Sequence, residues 1–75
     1  MEEIIKKTLS DNINNAEVYV EGSEAKYTVK VLSDIFIDKT IIERHKIIYA
    51  LLNEYIKSGE IHALTIKALT VDENK

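Results

Sequence analysis

The sequence predicts a small α+β domain with two helices on one face of a three-stranded sheet, in the order helix, strand, strand, helix, strand. Three observations carry this. Apolar and polar residues alternate over residues 16–21 and again over residues 26–31, with a short Gly-containing break between the two runs. Apolar residues then recur at helical spacing over residues 41–56, and a third alternating run, residues 61–69, follows a glycine placed to end that helix. Helices and strands that each have one apolar face pack most simply as two layers. With 75 residues, one domain spans 1–75, and a chain of that size buries only about 60% of its unfolded surface.

Residues 2–13 read as the first helix. Ile5, Leu9 and Ile13 recur every four positions, and Glu2 and Glu3 precede Lys6 and Lys7, the order that the helix dipole favours. Asn12, Asn14 and Asn15 break it. Ala16, Val18 and Val20 then alternate with Glu17, Tyr19 and Glu21 as a half-buried strand. Gly22, Ser23, Glu24 and Ala25 turn the chain, and Tyr27, Val29 and Val31 against Lys26, Thr28 and Lys30 complete an antiparallel hairpin.

Residues 33–39 form a loop holding the only phenylalanine, Phe36. Thr40 and Glu43 fit a capping box, which fixes the start of the main helix. On its wheel Ile41, Ile42, Ile48, Tyr49, Leu52, Tyr55 and Ile56 share one arc, with Glu43, Lys46, Asn53, Glu54 and Lys57 opposite. Gly59 suits the left-handed position after the helix. In the last strand, residues 61–69, His62, Leu64, Ile66 and Ala68 share one face, and residues 71–75 read as a frayed tail.

Composition narrows the function. With 45% hydrophobic and 31% charged residues the chain is of the globular type. A net charge of -3 argues against binding nucleic acid by bulk electrostatics. The absence of cysteine removes any disulfide framework and points to a reducing compartment. No stretch approaches the roughly 20 apolar residues of a membrane span, and acids stand where a secretory signal would be positive, so the expected location is the cytoplasm. The sequence holds no Ser/His/Asp set, no phosphate-cradling Gly-rich loop and no cysteine nucleophile, which argues against an enzyme. Asp34 and Asp38 flank Phe36 as turn residues. In a cysteine-free chain the two histidines, His45 and His62, are the strong ligands on offer to a soft or borderline metal.

Several separated elements resemble the BolA-like protein family in order and spacing: Tyr27-Thr28-Val29-Lys30-Val31-Leu32-Ser33-Asp34, then Phe36, then Arg44-His45-Lys46 with Tyr49, then Ile61-His62-Ala63-Leu64. The resemblance covers residues 16–70. It implies a fold similar to the type II KH domain and a role as partner of a monothiol glutaredoxin in handling a [2Fe-2S] cluster. In that family the histidine opening the last strand is the characteristic ligand, here His62, and the glutaredoxin cysteine and a glutathione thiolate serve the other iron. The cluster is expected on the shared complex rather than on the isolated chain. Many relatives carry a second ligand, Cys or His, between the first two strands. This chain has Gly22, Ser23, Glu24 and Ala25 there, so either His45, Glu24 or solvent completes the iron, or the cluster-bound heterodimer is weaker than in relatives. Some relatives are described as DNA-binding regulators of morphology and stress responses.

Two other readings follow from the residues. Lys39, Arg44 and Lys46 around the main helix start, with Lys30 and Lys67 on outward strand faces, form a basic patch for a protein partner or for DNA entered by the helix beginning at Thr40. The chain lacks the Gly-x-x-Gly loop by which KH domains clamp a nucleic-acid backbone. The third reading is a metal-free interaction module that uses the polar sheet face or an edge strand. On the wheel His45 falls within the apolar arc, so packing against the sheet is its expected role.

Overall fold

The computed structural model describes residues 1–74, and its elements follow the expected order. Helix α1 spans Glu2–Asn12, strands β1 and β2 span Glu17–Ser23 and Lys26–Leu32, helix α2 spans Ile41–Lys57 and strand β3 spans Ala63–Leu69. Two short 3-10 turns, Asp34–Phe36 and Asp72–Asn74, precede α2 and follow β3. The sheet order is β1-β2-β3, with β1 antiparallel to β2 and β2 parallel to β3. Two parallel neighbours need a crossover, and α2 supplies it.

The pleat sorts the side chains into two faces. Val18, Val31 and Ala68 align across the sheet, as do Val20, Val29 and Ile66, and these rows face the helices. Ile5, Leu9 and Ile13 from the α1 segment and Ile48 and Leu52 from α2 close the core over them, all at 2% exposure or less. The opposite face carries the row Tyr19, Lys30, Lys67 and is open. No helix among the described residues is long and apolar enough to cross a membrane.

Thr40 caps α2 as expected: its hydroxyl accepts from the Glu43 N–H at 3.1 Å, and Glu43 accepts from the Thr40 N–H at 2.9 Å. The bond from the Thr40 main chain is the chief reason the Glu43 carboxyl lies below its usual range. Gly59 has a φ of +83°, the left-handed conformation anticipated for it.

Three expectations need correction. The buried stripe of α2 is Arg44, Ile48 and Leu52, whereas Ile41, Ile42 and Tyr49 are exposed at 69%, 68% and 43%. The wheel treats every apolar residue as inward, but the helix has turned to seat the Arg44 side chain. β3 begins at Ala63 rather than residue 61, which leaves His62 in the connection before it. The expected frayed tail is instead ordered through Asn74, because Thr70 and Glu73 cap one another as Thr40 and Glu43 do. Lys75, the last residue of that expectation, lies outside the described residues.

The β1–β2 turn is conformationally costly. Glu24 and Ala25 have φ of 54° and 66°, the pattern of a type I′ turn that glycine and asparagine normally fill. A side chain in that region costs about 1–2 kcal/mol. Gly22, with φ +131°, is the opposite case: a Cβ there would collide with the Lys26 carbonyl oxygen. Ala25→Gly is therefore expected to stabilise the protein by about 0.5–1 kcal/mol, once the extra flexibility of the unfolded chain is subtracted. Gly22→Ala is expected to destabilise it by more than about 1 kcal/mol. Urea unfolding midpoints check both, and equal midpoints for the two variants would contradict this account.

Candidate functional site

His62 reaches the rim of the sheet through the α2 crossover. The helix ends at Lys57, Gly59 reverses the chain, and Ile61, at 1% exposure, anchors the connection in the core. The next residue is fixed by its main chain: the His62 N–H donates to the Ala25 carbonyl at 2.7 Å, and the Ala63 N–H donates to the same oxygen at 3.0 Å. This ties His62 to the strained Glu24-Ala25 turn. Its side chain is exposed and accounts for no hydrogen bond among the described residues. The result is an imidazole on a fixed stalk, open to solvent, with the Glu24 turn beside its backbone.

His45 is in a different place. It is half-buried in the second turn of α2, and the helix rises about 18 Å between His45 and its last residue, Lys57, at ~1.5 Å per residue. The two histidines occupy opposite ends of the crossover helix, so His45 does not complete a site with His62. No group of three or more His, Cys, Asp or Glu able to hold a metal occurs among the described residues.

Arg44 is not the surface cation that the sequence suggested. It is 8% exposed. Its guanidinium donates to the carbonyls of Lys39 and Ala68, each at 3.0 Å, and grips both carboxylate oxygens of Glu73 at 2.6 and 3.2 Å. It also stands 5.9 Å from the ring centre of Phe36, which is fully buried. A buried guanidinium is tolerated only when its donors are satisfied, and these four acceptors satisfy it. The sequence held a signal for this cluster: Thr70 and Glu73 repeat the spacing of Thr40 and Glu43.

The other cations do not converge. Lys39 and Lys46 are exposed at the α2 start, whereas Lys67 stands on the open sheet face, aligned with Lys30. Lys30 lies 6.0 Å from the Tyr19 ring centre. Without Arg44, entry into DNA by the start of α2 rests on Lys39 and Lys46 alone, flanked by exposed Ile41 and Ile42.

These features define a small two-layer α+β domain with a single exposed histidine held at one end of the sheet. A family model described as BolA-like protein matches residues 2–73, and the chain belongs to this family. A Haemophilus influenzae protein is 44% identical over 71 residues, which is 95% of this chain and 84% of that protein. The acid stress protein IbaG of Escherichia coli is 30% identical over 69 residues, 92% of this chain and 82% of that protein. The BolA domain of SufE1 from Arabidopsis thaliana superposes with a TM-score of 0.86 at 32% identity, covering 96% of this chain and 93% of that one.

The Arg44 clamp has a pH signature. The bonds from Arg44, then that from the Thr70 N–H, lower the Glu73 carboxyl from 4.5 to about 2. A carboxyl depressed by folding contributes stability that is complete above its unfolded pKa and lost as pH falls through its folded one. The contribution of Glu73 is therefore present above about pH 4.5 and disappears towards about pH 2. Its side chain is 46% exposed, so solvent weakens the pair. Glu73→Gln is expected to be less stable than wild type at pH 7 and to converge on it near pH 2. Thermal unfolding across that range checks this, and equal stability at pH 7 would show that the clamp contributes nothing.

Proposed function

We propose that this chain is a non-enzymatic adaptor that partners a monothiol glutaredoxin and helps hold, sense or deliver a [2Fe-2S] cluster through His62. The observation that carries the reading is the exposed and otherwise unengaged imidazole of His62, on a main chain held at the Ala25 turn, in a chain without cysteine. Imidazole is a competent iron ligand and raises cluster potential relative to thiolate. That suits cargo which must be given up again. One such ligand does not hold a cluster, so the chain acts on a cluster whose other ligands come from the partner and its glutathione. The donor set fits that division: one histidine, with Glu24 on the adjacent turn or solvent to complete the iron.

A module of this fold also occurs as a domain of the Arabidopsis thaliana protein SufE1, which supports reading it as a unit that works alongside another protein. The cysteine-free composition is in keeping with a reducing compartment such as the cytoplasm.

The test is to reconstitute the cluster anaerobically on a mixture of this chain, a monothiol glutaredoxin and glutathione, and to record visible circular dichroism. The wild type is expected to give a spectrum distinct from that of glutaredoxin alone, and His62→Ala to abolish or strongly alter it. His62 is exposed, so the variant should keep its unfolding midpoint. An unchanged heterodimer spectrum in the variant would remove His62 as the ligand, and a spectrum identical to glutaredoxin alone in both would remove the cluster role.

A further inference from the structure

β3 is an edge strand whose two ends are treated differently. In a parallel pair a residue's N–H and C=O point to the same side, and the side alternates along the strand. The Ala63 N–H bonds Ala25 and the Leu69 carbonyl accepts from the Ser33 N–H, both on the β2 side. Leu64, Ile66 and Ala68 therefore turn their main-chain groups away from the sheet. The outermost of these at the C-terminal end, the Ala68 carbonyl, is occupied by Arg44 at 3.0 Å. Among the described residues, no side chain or loop group bonds to the outward N–H and C=O of Leu64 and Ile66. The edge is bonded where it meets Arg44 and unbonded where it meets His62, with Leu64 half-buried and Ile66 9% exposed there.

The devices that usually protect an edge are sparse here. The register with β2 is unbroken from Ala63 to Leu69, so there is no bulge, and the chain has no proline. The one charge on the strand, Lys67, stands next to the end that Arg44 already closes. The other edge of the sheet contrasts with this. α1 packs against β1, and Glu2, Glu3 and Lys6 share a cleft of about 540 Å³ with residues 18–21 of that strand and, across the sheet face, with Thr28, Lys30 and Lys67.

Lys67 also indicates what would sit there. It lies directly across from Lys30 on the same face, and like charges so placed repel. The ion pairs among the described residues are Lys7–Asp11 and Arg44–Glu73, so neither lysine has a carboxylate partner. An incoming strand with an acidic side chain opposite Lys67 would provide one.

We propose that the free edge of β3 is a docking strand: an extended segment of the partner protein pairs with the main chain of Leu64 and Ile66, sets a carboxylate against Lys67, and thereby delivers the partner to His62. The partner's identity rests on the function proposed above, whereas the edge geometry does not. Main-chain pairing gives affinity without demanding a particular sequence, and the Lys67 contact fixes register. Because the outward groups begin at Leu64, two residues after His62, a strand seated on them lies beside the histidine.

The test uses the complex with a monothiol glutaredoxin and glutathione, formed without iron. Amide hydrogen exchange at Leu64 and Ile66 is expected to slow at least about tenfold on binding. A synthetic chain carrying an N-methyl group on the Leu64 main-chain nitrogen, and separately Lys67→Glu, should each weaken the iron-free complex by about tenfold or more in calorimetry. Neither change touches the β2–β3 hydrogen bonds, and Lys67→Glu keeps the test valid if the synthetic chain folds poorly. Edge amides that exchange as in the free chain, or both variants binding normally, would overturn the docking strand while leaving the cluster test untouched. Protected edge amides together with a cluster spectrum indifferent to His62 would keep the docking strand and remove the ligand. Sedimentation showing that the free chain dimerises through this edge, in a manner the N-methyl group abolishes, would assign the edge to a second copy and overturn the proposal.

Discussion

The fold turns on one buried guanidinium. Arg44 comes from the first turns of α2, yet its acceptors lie in the segment before that helix, at the end of β3, and in the turn that follows. Its neighbour Phe36 has no exposed surface. A cation taken out of water must recover its hydration in direct bonds, so these separate pieces of chain are positioned relative to one another by a single side chain. The consequences reach the helix: seating Arg44 inward rotates α2 so that Ile48 and Leu52 meet the sheet, and Ile41, Ile42 and Tyr49 face solvent. The same bond to Ala68 occupies the C-terminal end of the sheet edge. Removing Arg44 would therefore cost more than one ion pair, since the Lys39 and Ala68 carbonyls would lose a donor as well.

Much of the architecture was legible in the sequence because period and punctuation agreed. Strand alternation, the capping residues Thr40 and Glu43 and the left-handed Gly59 each report on local conformation, and local rules govern them. The core positions of α1 and of the strands followed, since period 2 and a four-residue recurrence leave little choice of face. The α2 stripe did not follow, because which side of a helix with apolar residues over much of its surface turns inward is settled by tertiary contacts. An arginine read as part of a surface basic patch was in fact the buried centre. The tail was misread for a related reason: the Thr70 and Glu73 spacing was present, but its meaning depends on a guanidinium donated from far along the chain.

The sequence marked His62 as the residue opening the last strand, and the structure places it exposed, just before β3 rather than in it. What no periodicity shows is its neighbour. The turn at Glu24 and Ala25 holds positive φ values without glycine, and two N–H groups from the start of β3 converge on the Ala25 carbonyl. Strain in a short segment persists only where its surroundings hold it, and here the segment holding the turn is the one that carries the histidine. Turn and ligand candidate are thus one mechanical unit.

The direction of β3 decides where that unit falls. Had β3 returned antiparallel to β2, as a simple hairpin would require, residue 62 would lie at the opposite end of the sheet, near Leu32 and Ser33. Parallel pairing aligns Lys26 with Ala63 instead, and it requires a crossover long enough to carry the chain back along the sheet. α2 meets that requirement, and its two ends acquire different tasks. The N-terminal end carries Arg44 to the far end of β3 and closes the edge. The C-terminal end passes through Gly59 to present His62 at the near end, where the edge is open. A single crossover helix therefore separates the buried Arg44 cluster from the exposed histidine. Both ends of the α2–β3 unit are anchored, by Arg44 at one and by Ile61 and the Ala25 carbonyl at the other, and the imidazole of His62 is exposed between these anchors and solvent.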